Sequence, residues 1–202
     1  MPVFAGRIPA ICAQQLKNLK GQGTPAIVAV VFGNRAYEDA LLELTDLLRE
    51  NGFLPIGGCA MVARHSIFPA VAKGRPDEQD TQRLQAFTET CKGLVEKGEW
   101  KETLNVPGNH PYREAGGLPL RPSGDKKCID CGICVGVCPV QAIPADNPRI
   151  TEKDKCIVCT ACIYHCPQNA RGFHGLPYIA AEMAFKKKCA EPQAAEFFYI
   201  GE

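Results

Sequence analysis

The sequence predicts an α/β domain followed by a small α+β domain that is rich in cysteine. Two observations predict this order. Helical and strand-like apolar patterns alternate over about the first 100 residues, and two cysteine runs of identical spacing follow them. The chain has 202 residues, which is enough for one ordinary domain or two small ones. With 46% hydrophobic and 22% charged residues, it is typical of a soluble globular protein.

Charge and hydropathy narrow the expected partners and location. The net charge is +1, so no nucleic acid or other polyanion is expected as a partner. The longest apolar run, residues 26–32, is far too short to span a bilayer. The N-terminus lacks the charged, apolar and small-residue pattern of an export signal. We therefore expect a cytoplasmic, reducing location, where clustered cysteines more often bind metal than form disulfides.

The first 100 residues alternate between helical and strand-like segments. Pro9 suits the first turn of a helix that runs to about Lys20. The run "PAIVAVVF" is continuously apolar, which predicts a strand buried on both faces, as in a parallel sheet. Residues 37–50 and 77–96 carry apolar residues at helical spacings, and "FLPIGGCAMVA" between them reads as a weaker strand. Helices and strands in this alternation predict part of a doubly wound sheet.

Composition places the domain boundaries. We assign residues 1–97 to the α/β domain and residues 98–127, which are rich in proline and glycine, to a linker. The cysteine domain spans residues 128–170. Residues 171–202 form a mixed tail, with a helical candidate near Tyr178–Lys188 and an apolar end, "EFFYI".

Eight of the twelve cysteines lie in two runs of the form C-x-x-C-x-x-C-x-x-x-C-P, "CIDCGICVGVCP" and "CIVCTACIYHCP". Thiolates are soft ligands that suit zinc, copper(I) and iron–sulfur clusters. A pair of zinc sites is the alternative, but it needs only two Cys-x-x-Cys pairs and gives no role to the third cysteine or the proline. Disulfides are a weaker alternative because the cysteines are crowded.

Residues 128–167 resemble a bacterial ferredoxin with two [4Fe–4S] clusters. The resemblance rests on the eight cysteines, on Pro139 and Pro167, and on the segments "PVQAI" and "ITEKDKC". It implies two short helices and small hairpins related by a pseudo-twofold axis. In this family the fourth cysteine of each run binds the other cluster. The implied ligands are Cys128, Cys131, Cys134 and Cys166 for the first cluster and Cys138, Cys156, Cys159 and Cys162 for the second.

The segment "VFGNRAYEDALLELTDLLRENGF" resembles the fourth strand, loop and helix of flavodoxins, and "PVFAGRIPA" resembles the loop after their third strand. With "VARHSIF", "GRPDEQD" and the "AAEFF" tail, the chain is similar to flavodoxin–ferredoxin fusion proteins, found largely in anaerobic bacteria. Tyr37 would then stack on the flavin of FMN. The implied FMN contacts are Phe4, Ala5, Gly6, Arg7, Gly33, Asn34, Arg35 and Tyr37.

The chain departs from these relatives at its start. The glycine- and threonine-rich loop that holds the FMN phosphate at a helix N-terminus is absent from the sequence. We therefore interpret residues 1–97 as an N-terminally truncated flavodoxin-like domain. FMN should bind weakly to it, and the strand "AIVAVVF" should lie at an exposed sheet edge.

These patterns predict an iron–sulfur electron carrier with redox partner proteins, which in the full-length family relays electrons to or from FMN. One alternative is a flavin-dependent oxidoreductase that uses the clusters as an electron entry path. The other is a ferredoxin module whose α/β remnant docks a partner. An electron carrier is favoured over an enzyme because no acid–base constellation accompanies Tyr37 and Arg7.

Overall fold

The computed structural model describes residues 1–98, 100, 102–117 and 119–201. They form two compact units. The first unit contains residues 1–65, 69–117 and those from 189 on, and the second contains residues 66–68 and those from 119 to 188. The elements are α1 (Ala10–Leu16), β1 (Thr24–Phe32), α2 (Ala40–Glu50), β2 (Phe53–Val62), α3 (Glu78–Lys97), β3 (Ser123–Gly124), α4 (Ile133–Gly136), α5 (Ala161–Tyr164), β4 (Arg171–Gly172), α6 (Leu176–Lys188) and β5 (Glu196–Tyr199).

The first unit is built on a three-stranded sheet in the order β1-β2-β5. β1 and β2 are parallel, from Thr24 beside Phe53 to Phe32 beside Val62, with one register shift between Ala26 and Ile27. β5 returns antiparallel along β2. The described residues therefore form a mixed α/β unit with one parallel strand pair, and the doubly wound sheet is not confirmed.

The core of the first unit lies mainly between the sheet and α2. Val28, Val30 and Phe32 of β1 are at most 4% exposed and pack with Leu41 and Leu44 of α2. The other residues of β1 behave differently, since Ile27 is 47% and Val31 is 40% exposed. The prediction that β1 is buried on both faces is wrong. β1 lies at the edge of its sheet, as expected, but this edge is not fully exposed, because Met1 and Val3 form backbone hydrogen bonds with Val31.

A second, smaller apolar cluster packs α3 on the opposite face of the sheet. It joins Phe87 and Cys91 of α3 to Cys59 and Met61 of β2. Gly57 of β2 has to be a glycine here, because an added Cβ would lie 2.6 Å from the Cys91 sulfur. The sheet is therefore covered on both sides at β2, the central strand.

Residues 98–117, predicted as part of a linker, pack on the first unit wherever the structure describes them. Leu104 is 1% exposed and belongs to the main core. The backbone N–H groups of Asn109 and Arg113 donate to the Asp39 carboxylate at 2.9 and 2.7 Å. The predicted tail is also divided, since α6 belongs to the second unit and β5 to the first. The domain boundaries stay a prediction.

The second unit has little regular structure. It contains α4, α5 and α6 and the two-stranded ladder β3-β4. A buried cluster around the cysteines contains Cys134, Ile143 and Cys162, with Val135, Cys138 and Ile163 packed around them. Elsewhere in this unit, Phe68 is 3% exposed and its ring packs near those of Tyr178 and Phe185. No helix in the described part of the chain is long and apolar enough to cross a membrane.

Candidate metal centre

The two cysteine runs fold as two copies of one structure. The second run follows the first at a constant offset of 28 residues. Gly132 precedes α4 with φ +75°, and its counterpart Thr160 precedes α5 with φ +65°. Two further pairs of counterparts have positive φ, namely Asp130 with Val158 and Gln141 with Asn169. A left-handed residue that is not glycine is uncommon, so its repetition at matched positions indicates that the backbone is shaped around its cysteines.

The first cavity of the second unit collects four cysteines from both runs. Its lining includes Cys128, Cys131 and Cys134 from the first run and Cys166 from the second. About 310 Å³ is free of protein atoms there, including the open mouth. These are the four cysteines predicted as one ligand set. Among them Cys134 is buried and Cys131 is exposed, so this cavity has a solvent-facing side.

The second cavity has the reciprocal composition. Its lining includes Cys156, Cys159 and Cys162 from the second run and Cys138 from the first. About 310 Å³ is again free of protein atoms. Cys162 is buried, and the other three cysteines are half-buried. In each cavity, three cysteines therefore come from one run and the fourth comes from the other.

Backbone amides point at the sulfur atoms of the exchanged cysteines. Ala142 N–H donates to Cys138 Sγ at 3.2 Å, and Ala170 N–H donates to Cys166 Sγ at the same distance. Cys166 is partly buried, which raises the pKa of its thiol, but N–H donors including that of Ala170 outweigh burial and its pKa is lowered. Such donors stabilise a thiolate, the form that binds metal.

Burial dominates at the inner cysteines. It raises the pKa of the Cys134, Cys159 and Cys162 thiols. The Arg171 guanidinium opposes this effect at Cys134 and Cys162, because its positive charge favours the thiolate. A coordinating thiol is deprotonated outright, so a bound metal would remove the cost of ionising these buried groups.

The donor sets fit iron–sulfur clusters. Each cavity has four cysteine sulfurs in its lining, and a [4Fe–4S] cube needs four thiolates, one for each iron. Within residues 1–98, 100, 102–117 and 119–201, no group of three or more His, Cys, Asp or Glu is placed to hold a metal ion. That finding concerns one ion bound by all members of a group, whereas a cube binds each thiolate at a separate corner.

Residues 127–170 match the family model described as the 4Fe-4S dicluster domain. The match covers both cysteine runs and lies within the second unit. This segment is a ferredoxin-like iron–sulfur module. The match supports an iron–sulfur electron-transfer role for the chain and the binding of 4Fe-4S cluster by this segment.

The first group of residues predicted to contact FMN forms a tight turn in the first unit. Phe4 and Arg7 exchange backbone hydrogen bonds at 2.8 and 3.1 Å, across Ala5 and Gly6, which both have positive φ. The Arg7 guanidinium donates twice to the Glu43 carboxylate, each time at 2.7 Å. The cationic side chain of this turn is therefore committed to an internal ion pair.

The second group follows β1. Gly33 ends the strand, and the Asn34 amide donates to the Cys189 carbonyl at 3.0 Å. Arg35 donates to the Glu38 carboxylate at 2.8 Å. Both polar side chains of this loop thus have partners within the first unit.

Tyr37 is buried and not exposed for stacking on a ligand. Its side chain is 7% exposed, its ring lies 5.4 Å from that of Phe32, and its hydroxyl donates to Glu196 at 2.9 Å. Burial and the bond to Glu196 raise the pKa of Tyr37. The cavity beside Tyr37 includes Glu38 and Glu196 in its lining. Both carboxylates have partners, since Glu38 pairs with Arg35 and Arg113 and Glu196 accepts from Tyr37.

Sequence reasoning missed Arg171, which lies four residues after Pro167, the last residue of the second cysteine run. It is 4% exposed and lines the first cavity. Its counterpart in the first repeat is Ile143, which lines the second cavity. Alignment of the two repeats would have exposed this difference, because a cation replaces an apolar residue at a matched position.

Proposed function

We propose that the second unit binds two [4Fe–4S] clusters and transfers single electrons between redox partner proteins. One observation carries the proposal: two cavities each have four cysteines in their lining, three from one run and one from the other. When bound, each cluster would accept or release one electron with little rearrangement. The protein would hold the clusters, exclude water from their inner sides and direct N–H groups at sulfur.

The proposed ligands of the first cluster are Cys128, Cys131, Cys134 and Cys166, and those of the second are Cys138, Cys156, Cys159 and Cys162. The exposure of Cys131 supports electron exchange with partners at the first cluster, because electron transfer falls off with distance through protein. A reducing cytoplasm suits the proposal, since the cysteines must stay reduced to take up iron.

The proposal assigns no flavin to this chain. The residues implied by the flavodoxin resemblance have partners of their own, with Arg7 bound to Glu43, Asn34 to Cys189 and Tyr37 to Glu196. A relay between the clusters and FMN would have to break these contacts. Absorption of the purified protein tests this point, because bound FMN would add flavin bands to the broad cluster absorption.

The ligand sets are tested by paired substitutions in the full-length chain, reconstituted with iron and sulfide without oxygen. Cys128→Ala with Cys166→Ala removes two ligands from one proposed cluster and none from the other. Cys128→Ala with Cys138→Ala removes one ligand from each. The wild-type chain should hold about eight irons, four for each cluster.

We expect the C128A/C166A chain to keep about four irons and the EPR spectrum of one intact reduced [4Fe–4S] cluster. The C128A/C138A chain should keep no cluster with four cysteine ligands. The reverse result, with an intact cluster only in C128A/C138A, would mean that each run holds its own cluster. Zinc without iron in the wild-type chain would overturn the proposed function itself.

A further inference from the structure

Arg171 is a buried cation without a carboxylate partner. Its side chain is 4% exposed, and none of the ion pairs in the described part of the chain includes it. The guanidinium donates instead to neutral oxygens, the carbonyls of Pro148 and Pro122 and the hydroxyl of Thr151. Burying a charge in this way is costly unless an opposite charge lies nearby.

These contacts place the guanidinium in the wall between the two cavities. Pro148, which accepts from Nη1, lines the first cavity, and Pro122 and Thr151, which accept from Nη2, line the second. Nη1 also lies 4.0 Å from the sulfur of Cys134.

One donor of Arg171 is unused. Its Nε–H is buried and has no hydrogen-bond partner among the described residues. Buried donors are rarely left unpaired, so an orphaned N–H beside a cysteine-lined cavity points to an acceptor that the protein does not itself supply. Cluster sulfur is an acceptor of this kind, and a cluster with four thiolate ligands carries net negative charge.

We propose that Arg171 is a shared countercharge that raises the reduction potential of both clusters, and more strongly that of the first. The inference rests on the proposed function. Reduction adds negative charge to a cluster, and a nearby cation stabilises the reduced form more than the oxidised form. The first cluster responds more because Arg171 lines its cavity and Nη1 lies 4.0 Å from the sulfur of Cys134, a proposed ligand of that cluster.

The internal repeat supports a difference between the clusters. The position that matches Arg171 in the first repeat is Ile143, which is 3% exposed and carries no charge. Asp130 and Arg149, which lie near Cys128, form an exposed ion pair at 3.1 Å and largely cancel each other. Arg171 is therefore a buried charge in one half that has no counterpart at the matched position of the other.

The test compares midpoint potentials, measured by EPR-monitored redox titration of the reconstituted full-length protein. Arg171→Met removes the charge, and Arg171→Lys keeps it. Arg149→Met is the matched control, because it removes an arginine charge near Cys128 that is exposed to solvent. Iron and sulfide contents are measured first for every variant, so that failure to bind two clusters is detected separately.

We expect Arg171→Met to hold two clusters and to lower both potentials. The equilibrium constant for reduction of the first cluster should fall at least about tenfold, which is ~59 mV for a one-electron couple. The shift should be smaller for the second cluster. Arg171→Lys and Arg149→Met should stay within about threefold of wild type, since a buried charge is retained in one and a screened charge removed in the other.

Unchanged potentials in Arg171→Met, with full iron content, would overturn the inference and leave the two-cluster proposal intact. If Arg171→Met loses iron, Arg171→Gln replaces it, because an amide still donates to the Pro148 and Pro122 carbonyls. If neither neutral variant holds two clusters while Arg171→Lys does, the cation is structural and the tuning role is rejected. Less than two clusters in wild type would instead reject the proposed function.

Discussion

Asp39 fixes the proline-rich segment after α3 to the start of α2. Its carboxylate is 2% exposed and accepts three hydrogen bonds, two from Asn109 and one from the Arg113 backbone. Burial alone would raise the pKa of Asp39, but these donors outweigh it and hold the pKa below its usual value. A single side chain thus attaches a segment that composition alone marks as a linker.

The first prediction concerns this carboxylate. Asp39→Ala removes the acceptor for two backbone N–H groups, and we expect the free energy of unfolding of the first unit to fall by about 1–2 kcal/mol. Urea unfolding followed by the fluorescence of Trp100, the single tryptophan, measures the change. Glu89→Gln, at an exposed site on α3, is the control and should change stability by less than about 0.5 kcal/mol.

The same variant tests how the stability of the first unit depends on pH. Because the folded pKa of Asp39 is lowered, its contribution is present above the unfolded pKa of about 3.9 and is lost as pH falls through the folded pKa. The urea midpoint of wild type should therefore fall more steeply below about pH 4 than that of Asp39→Ala. Parallel curves for the two proteins would contradict this role for the carboxylate.

Among single residues, the sequence predicts how the cysteines are grouped better than it predicts which charged side chains are buried. The eight cysteines could be divided into two sets because the runs resemble those of two-cluster ferredoxins, and the linings of the two cavities contain the same two sets. Arg171 and Asp39 could not be recognised as buried, because burial of a charged residue depends on the oxygens and N–H groups that the folded chain brings to it. The side chains predicted for FMN likewise have partners set by the fold, such as Glu43 for Arg7.

Among the elements, α3 has the most strongly marked N-terminus. The Asp77 side chain accepts from Asp80 N–H at 2.9 Å, and the Asp80 carboxylate accepts in return from Asp77 N–H at 3.0 Å. Arg75 pairs with the same Asp80 carboxylate, and the pKa of Asp80 is lowered, chiefly by that hydrogen bond. These contacts explain why the helix begins at Glu78, close to the residue that the apolar pattern indicates.

The second prediction is that Asp77→Ala lowers the unfolding free energy of the first unit by about 1 kcal/mol, because an N-terminal N–H loses its acceptor. The measurement is again urea unfolding followed by Trp100. Gln85→Ala, an exposed change in the middle of the same helix, is the matched control. Equal midpoints for the two variants would contradict a capping contribution.

Element prediction succeeded where local pattern was sufficient. Helical spacing located α2 and α3, and the apolar run located β1, each within a few residues of the observed bounds. β5 was missed because four residues of "EFFY" carry no turn signal and pair with β2, which lies far away in the sequence. The prediction of two buried faces for β1 failed because apolar composition does not reveal what packs on each face.

The two units of the whole molecule depend on different sources of stability. Among the residues that the structure describes, twelve are buried in the main core of the first unit. Among the described residues, the buried cluster around the cysteines of the second unit contains three, and two of these are Cys134 and Cys162. Because this cluster around the cysteines is small and two of its three buried members are proposed ligands, we expect bound metal to supply much of the folding free energy there.

The third prediction follows from this difference. Removal of iron by a chelator and a mild oxidant should abolish hydrogen-exchange protection of the α4 and α5 amides, such as those of Val135 and Ile163. The urea midpoint reported by Trp100 should stay within error of the untreated protein. Retained protection at both helices after complete iron loss would show that the second unit folds without metal.

The sequence predicted the order of the two domains along the chain. It did not predict which distant segments of the chain belong to each unit. Residues 127–170 form an iron–sulfur module, as the cysteine pattern indicates. The first unit, however, includes residues from the predicted linker and from the predicted tail. Such long-range packing leaves no periodic signal, because it depends on individual contacts such as Leu104 in the main core.

The exchange of cysteines between the two runs has a consequence for biosynthesis. With the proposed ligand sets, a ribosome that has reached residue 155 has made three ligands of the first cluster and one of the second, and neither site is complete. Cys162 then completes the second set, and Cys166 completes the first only four residues later. Cluster insertion into the nascent chain would therefore wait until both runs had been translated. A chain that ended before Cys162 would contain no complete ligand set.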